Sequence, residues 1–170
     1  LLLRFFRIPA VIFSVLLPGL YIAITTFHQE MIPTDLLFSI AGTREKVPFS
    51  MLIELLIMEV AFEIIREASI RTPAPVGPTL GIVGTLILGQ AIVTANIVSP
   101  ILVIIVALTG ISTFAVPNFA LNYSYRILRF IYIFLGSWSG FLGIAIGLFI
   151  NMCLLSTAIS FGVPYLTPYA

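Results

Sequence analysis

The sequence contains few of the residues that most catalytic and metal sites need. It has one cysteine, Cys153, and one histidine, His28, so we expect neither disulfides nor a thiolate or histidine metal cluster. Charged residues make up 9% of the chain and the formal net charge is +1, which excludes the basic surface of a nucleic-acid-binding protein. No grouping of catalytic side chains occurs either, and the sequence therefore predicts no enzyme and no cofactor.

Apolar sequence dominates the chain instead. Hydrophobic residues make up 60% of it and the mean hydropathy is +1.18, outside the range of ordinary soluble domains. A helix needs about 20 apolar residues to cross a bilayer, and runs near or above that length occupy residues 8–27, 78–97, 99–117 and 131–161. The sequence predicts one all-α membrane domain over residues 1–170, with about four to five transmembrane helices. Because it does not begin with Met, we expect it to belong to a longer chain.

Charge is concentrated on one predicted helix at residues 49–69. The candidate functional residues on it and just after it are Glu59, Glu63, Arg66, Glu67 and Arg71. At about 100° per residue the first four share a sector about 100° wide, and Glu54 lies on the opposite side. Glutamates four residues apart repel one another unless an arginine or a partner compensates their charge.

This charged helix does not fit a span surrounded by lipid. Each charge at the bilayer centre costs roughly 2.5–3.5 kcal/mol, and each good apolar residue returns roughly 0.3–0.6 kcal/mol. Three ionised glutamates thus cost about 8 kcal/mol or more, against an apolar return of about 4–7 kcal/mol. The helix should instead line a pore, pack its charged side on protein, or lie as an amphipathic helix in the membrane interface.

The arginines bear on the topology. If the charged helix is a span, five spans result, and the positive-inside rule is met because six arginines share one side. These are Arg4, Arg7, Arg66, Arg71, Arg126 and Arg129. If the helix is interfacial, four spans result and Arg126 and Arg129 lie on the side opposite to Arg4. In both cases we expect Arg126 and Arg129 at a membrane interface.

Small residues form two stripes along predicted helices. One accompanies the span at residues 78–97 and the other lies in the segment at residues 131–161, which we expect to be one long tilted span or a broken one. The glycines expected to pack helices are Gly77, Gly81, Gly84, Gly89, Gly136, Gly140, Gly143 and Gly147. Such stripes let helices approach closely. Gln90 and Asn96 are polar positions in the span at residues 78–97, suited either to interhelical hydrogen bonds or to a pore lining.

The charged helix and the first glycine stripe together carry a recognisable motif. It reads EIIREASIRTP at residues 63–73, then GP at 77–78, GIVG at 81–84 and LGQA at 88–91. This pattern resembles the A subunit of the GerA-type spore germinant receptors, and the resemblance covers nearly the whole chain, including FHQEMIPT at residues 27–34. Ser69 departs from the glycine expected there. The segment ANIVSP at residues 95–100 is closer to the paralogue from the SpoVA operon.

The resemblance implies a subunit in the inner spore membrane of an endospore-forming bacterium. Family membership further implies assembly with sister membrane subunits, and an oligomer of A subunits that releases monovalent cations at germination. Glu59, Glu63 or Glu67 would then form a cation-attracting ring in a pore. Two alternatives stay open: a non-conducting scaffold whose acidic residues pair with arginines or a sister subunit, and a secondary transporter, although the charged segment has no inverted repeat.

Overall fold

The described part of the chain is almost entirely helical. In the computed structural model the described backbone comprises residues 2–71, 77–116, 119–160 and 163–164. Its helices are α1 (Leu2–Phe27), α2 (Thr34–Arg44), α3 (Met51–Arg71), α4 (Gly77–Thr94), α5 (Pro100–Thr113), α6 (Phe119–Ser139) and α7 (Phe141–Thr157). A 3-10 turn at Gln29–Met31 follows α1, and two short antiparallel strands, β1 (Ile159–Ser160) and β2 (Val163–Pro164), follow α7.

Local sequence explains where α4 ends and α5 begins. Asn96 has a left-handed φ of 55°, which asparagine tolerates better than most residues. Its N–H donates to the Val93 carbonyl at 3.0 Å, and the Ile97 N–H donates to the Ile92 carbonyl at 3.1 Å. These are the two hydrogen bonds of a Schellman motif. Pro100 then opens α5, where the missing N–H has no helical partner to lose.

The apolar segment at residues 131–161 is divided between two helices. α6 and α7 meet at Gly140, which has a φ of 61° and a ψ of −137°, a conformation that glycine adopts far more readily than other residues. A Cβ at this position would also lie 3.2 Å from atoms of Phe27 and His28. Backbone conformation and crowding thus both require glycine at the break.

Contacts between helices define the directions of α1, α3 and α6. Arg129 of α6 donates a hydrogen bond to Ser14 of α1, and eleven residues further on Gly140 approaches Phe27 at the end of α1. α6 therefore runs parallel to α1. The first residue of α3 contacts Thr25 near the end of α1, so α3 runs antiparallel to both.

The remaining helices extend this alternating arrangement. α5 runs parallel to α3, because Glu54 contacts Ser99 and Arg66 contacts Thr113. α4 runs antiparallel to α3, since Gly81 near the start of α4 lies beside the last turn of α3. α7 folds back along α6. The starts of α1 and α6 and the ends of α3 and α5 thus share one end of the bundle. We call it the arginine end, after Arg7, Arg66, Arg71 and Arg126.

Two apolar clusters fill the bundle. The larger one joins four helices through buried side chains that include Ile22 of α1, Leu55 of α3, Leu102 of α5 and Ile133 of α6. The smaller one joins α1 and α6 to α7 through Val15, Ala23, Tyr132 and Ile144. Because α1 and α6 contribute to both clusters, they form the centre of the bundle.

One described helix is long and apolar enough to cross a membrane by length and composition. It is the part of α1 at Arg7–Phe27, 21 residues long, in which a window of 18 residues has a mean hydropathy of 2.1. The apolar helices Val83–Thr94, Pro100–Thr113 and Phe141–Thr157 are shorter. At about 1.5 Å per residue, the 14 residues of α5 extend about 21 Å, less than the about 30 Å of a hydrocarbon core. The predicted number of spans stays a prediction.

α1 and α6 cross at a pair of glycines. A methyl carbon at Gly136 would lie 2.6 Å from the carbonyl oxygen of Gly19, and one at Gly19 would lie 2.7 Å from the carbonyl oxygen of Tyr132. Both contacts are closer than real Cβ atoms make, and both are to backbone. Any side chain at either position would therefore push the two helices apart.

The remaining stripe glycines also face other parts of this chain. A Cβ at Gly143 would overlap the carbonyl group of Leu135, and one at Gly147 would lie 2.7 Å from the Leu135 side chain. The first stripe packs more loosely, because a Cβ at Gly81 or Gly84 would lie 3.1 or 3.7 Å from side chains of α3. The described contacts of both stripes are thus contacts within one chain.

We expect Gly136→Ala to lower the free energy of unfolding by about 1–3 kcal/mol, the usual cost of overpacking. The measurement is reversible unfolding of the detergent-solubilised full-length protein, monitored by circular dichroism. Gly42→Ala is the matched control, because nothing lies within 4 Å of a Cβ there and alanine favours a helix over glycine by about 1 kcal/mol. Equal losses in both variants would contradict the tight α1–α6 crossing.

Candidate functional site

The acidic side of α3 faces the first half of α6. Glu59 and Glu63 of α3 meet Arg129 and Arg126 of α6, and Arg66 of α3 completes the group. We call these five residues the α3–α6 charge row. Because the two helices run antiparallel, carboxylates one turn apart on α3 meet arginines one turn apart on α6.

The pair between Glu59 and Arg129 is the buried part of the row. The two side chains are 2% and 3% exposed, and Arg129 Nη1 donates to Glu59 Oε2 at 2.9 Å. Arg129 Nε also donates to the carbonyl oxygen of Ser14 in α1 at 2.8 Å. One guanidinium thus joins α1, α3 and α6. Loss of either partner would leave an uncompensated charge inside the bundle.

Glu63 lies between two arginines and is 28% exposed. Its carboxylate pairs with Arg126 and lies 3.9 Å from Arg66 Nη1. Arg66 Nη2 also donates to Thr113 Oγ1 of α5 at 2.9 Å, and the Arg126 guanidinium lies 4.9 Å from the centre of the Tyr123 ring. The row therefore becomes more accessible towards the arginine end and there contacts α5 as well.

The structure does not bring Glu67 and Arg71 into the row. They form an ion pair within the last turn of α3, with Arg71 Nε 2.7 Å from Glu67 Oε1. Their side chains are 43% and 80% exposed. An exposed pair of this kind contributes little to stability, so these two residues differ physically from Glu59 and Glu63.

Glu54 is a buried charge on the side of α3 opposite to the predicted acidic sector. Its Oε1 accepts the Ser99 N–H at 2.6 Å, and its Oε2 lies 3.6 Å from Arg44 Nε. A carboxylate beside the start of α5 offsets the positive end of that helix dipole. The signal in the sequence was a single acid on the apolar side of α3, where a charge has to be compensated.

Arg126 and Arg129 are the partners that sequence reasoning missed. Their place at a membrane interface stays a prediction, but the structure shows that Arg129 is buried against neighbouring helices, with 2% of the residue exposed. The physical reason is that α6 begins at Phe119, well before the apolar run, and carries both arginines into the bundle. Their spacing of three residues, one helical turn, was the available signal.

The other predicted positions lie on α4. Gly77 opens this helix and Gly89 faces Val103 of α5. Gln90 and Asn96 are exposed, and Asn96, just after α4, forms the C-terminal cap of that helix. Their suggested role in a pore lining stays a prediction. Residues 72 and 73, which end the first part of the recognised motif, lie outside the described residues, as do residues 74–76.

The fold and the site define a helical bundle that encloses ion pairs. The sequence profile described as Bacillus/Clostridium GerA spore germination protein matches residues 1–170. The chain belongs to this family, and the resemblance drawn from its motif is confirmed. The closer likeness to the SpoVA-operon paralogue stays a prediction.

Curated relatives agree with the family. Spore germination protein KA of Bacillus subtilis (strain 168) is 52% identical over 171 residues, which cover 99% of this chain and 31% of that protein. Spore germination protein GerLA of Bacillus cereus is 46% identical over 169 residues, 99% of this chain and 34% of that protein. Uncharacterized membrane protein YfkQ of Bacillus subtilis (strain 168) is 46% identical over 166 residues, which cover 98% of this chain and 32% of that protein. The chain spans about a third of the length of these relatives, and no solved structure matches it.

We expect Arg129→Leu to lower the free energy of unfolding by about 3–5 kcal/mol, because Glu59 would stay buried without its partner. Combining it with Glu59→Leu should recover most of this loss, since no charge then remains in the pair. Chemical unfolding of the detergent-solubilised full-length protein measures both. Arg71→Leu is the control and should change stability by less than about 1 kcal/mol. A double variant no more stable than Arg129→Leu would contradict the buried pair.

Proposed function

We propose that this chain is the membrane-embedded part of an A-type subunit of a spore germination complex. Copies of it assemble with sister subunits in the inner spore membrane and surround a pathway for monovalent cations. The observation that carries the proposal is the α3–α6 charge row, because ionisable groups inside an apolar bundle mark ion pathways more often than packing. The role needs no enzymatic chemistry.

The apolar outer faces of α5 and α7 support membrane embedding. On α5, Ile104, Leu108 and Ile111 are exposed one turn apart, and on α7 the same holds for Leu142, Ile146 and Phe149. Contiguous apolar surface of this kind requires lipid or protein cover. With α1 as a span, we place the arginine end on the cytoplasmic side, as the positive-inside rule favours.

The hydrogen-bonding state of the row supports an ion pathway. Glu59 Oε1 and Arg129 Nη2 are buried without a hydrogen-bond partner among the described residues. Buried polar atoms usually bind water or another polar group, so the pair has capacity to bind water, an ion or a neighbouring subunit. We take this arrangement as the closed state, in which arginines neutralise the carboxylates. Conduction then requires α6 to move against α3 and to release them.

The same pairs favour a second candidate, a non-conducting scaffold. Glu59, Glu63 and Glu67 each have an arginine partner within the chain. A row in which every carboxylate is paired with an arginine holds helices together without contacting ions. The two candidates differ in one measurable property, which is whether weakening a pair changes ion flux or only the yield of the complex.

We expect Arg126→Gln to raise basal monovalent-cation flux by about tenfold, the change that follows when the closed state loses about 1.4 kcal/mol. Glu63 keeps Arg66 nearby in this variant, so the bundle should still fold. The measurement is rubidium uptake by liposomes that contain the full-length protein and its sister subunits. Glu63→Gln combined with Glu67→Gln should lower the flux or the selectivity for cations.

Two controls separate the candidates. Glu45→Gln removes an exposed acid outside the row and should leave flux unchanged. Exchanging the two charges, Glu63→Arg combined with Arg126→Glu, should restore the yield of complex that either single reversal lowers, if the contact is formed as described. Unchanged flux in every row variant, together with a lower yield of complex, would favour the scaffold and contradict the pore.

A further inference from the structure

A cleft lies at the end of the bundle opposite to the arginine end. It is enclosed by the last turn of α1, by α2 and by the start of α3, and has a volume of about 260 Å³. Its lining includes Thr25, Gln29, Leu37, Phe38, Arg44 and Met51. None of these residues belongs to the charge row, and the proposed ion pathway does not use them.

Arg44 is the one charged residue that lines the cleft, and most of its donors are free. A guanidinium has five N–H donors. Among the described residues the side chain of Arg44 makes no hydrogen bond, and its one ion pair is the 3.6 Å contact between its Nε and Glu54 Oε2. That carboxylate is engaged elsewhere, because its other oxygen accepts the Ser99 N–H at 2.6 Å. The Arg44–Glu54 contact is longer than a hydrogen bond, so the donors of Arg44 remain available to a ligand.

The other polar groups of the cleft are largely committed. Thr25 Oγ1 donates to the Tyr21 carbonyl oxygen at 2.6 Å and contacts Met51 Sδ. Gln29 Nε2 donates to the Thr25 carbonyl oxygen at 2.9 Å, which leaves its Oε1 as an acceptor. The remaining walls are aliphatic or aromatic. The cleft therefore combines one guanidinium with an apolar lining.

We propose that this cleft binds a small organic anion with a compact apolar body, whose carboxylate or similar group pairs with Arg44. Planar guanidinium groups recognise such anions with two parallel hydrogen bonds. A cleft of about 260 Å³ lies just below the about 300–1,000 Å³ of sites for drug-sized ligands, so the ligand is of amino-acid size. A soluble metabolite and a lipid headgroup both offer this chemistry. The proposal does not rest on ion conduction.

The test measures binding of 4-methylpentanoate to the full-length protein in phosphatidylcholine nanodiscs by saturation-transfer NMR. We expect saturable binding that weakens at least tenfold for Arg44→Gln, and at least tenfold for the uncharged probe 4-methylpentanamide. Arg44→Lys should bind with intermediate affinity, because it keeps the charge and loses the planar fork. Lys46→Gln removes a nearby exposed cation outside the cleft and should leave the affinity unchanged.

Ala41→Trp provides a variant that keeps the pair between Arg44 and Glu54. Position 41 lines the cleft, so a large side chain there should block binding while circular dichroism shows a folded protein. Absence of saturable binding, or equal binding by wild type, Arg44→Gln and Ala41→Trp, would overturn the proposal.

A second lipid composition identifies the source of the anion. In nanodiscs that contain phosphatidylglycerol, displacement of the probe from wild type would assign the cleft to a lipid headgroup. Full retention of the probe would assign it to a soluble anion. Both results support the anion site at Arg44, provided that Arg44→Gln has lost binding in phosphatidylcholine.

Discussion

The buried pair of Arg129 and Glu59 is the contact on which the arrangement of the helices depends. Apolar burial has no preferred direction, and lipid tails solvate an apolar helix as well as another helix does. Apolar contacts alone would therefore leave α1, α3 and α6 free to slide. The Arg129 guanidinium binds a carboxylate of α3 and a carbonyl of α1 at once, which defines one axial position for all three. The pair of Glu63 and Arg126, one turn away, defines the antiparallel direction of α3.

The ion pair and the glycine crossing support each other. Arg129 reaches the Ser14 carbonyl oxygen only if the backbones of α1 and α6 lie close together. Gly19 and Gly136 permit that approach one or two turns further along the same two helices. A larger residue at the crossing would separate the helices and lengthen the Arg129 bond, so packing and charge compensation are coupled through α1. Gly136 thus has a packing role within the chain's own bundle.

Some of this structure could be predicted from the sequence, and the rest depends on long-range contacts. Helical periodicity grouped Glu59, Glu63 and Arg66 on one side of α3, and apolar composition predicted a helical domain. Periodicity does not say what a side chain faces: Arg129 lies 70 residues from Glu59 along the chain. The same limit applies to Glu54, whose partners come from α2 and the start of α5. Gly140 was visible as part of a stripe, but its role as the break between α6 and α7 depends on a backbone conformation. The family motif succeeded because it is local.

The burial of the charge row limits how α3 and α6 can separate. Pulling them apart would leave Glu59 and Arg129 as unpaired charges in an apolar setting, at a cost of several kcal/mol. A conformational change that opens the bundle must therefore supply new partners as it removes the old ones. Water entering along the accessible side of Glu63, or arginines and acids of a neighbouring subunit, provide such partners. In the proposed channel, opening would proceed from the arginine end, where the row is more accessible, towards Glu59. In that channel, a subunit that exchanges its partners in this order would conduct only when assembled, which would link the buried pair to oligomer formation.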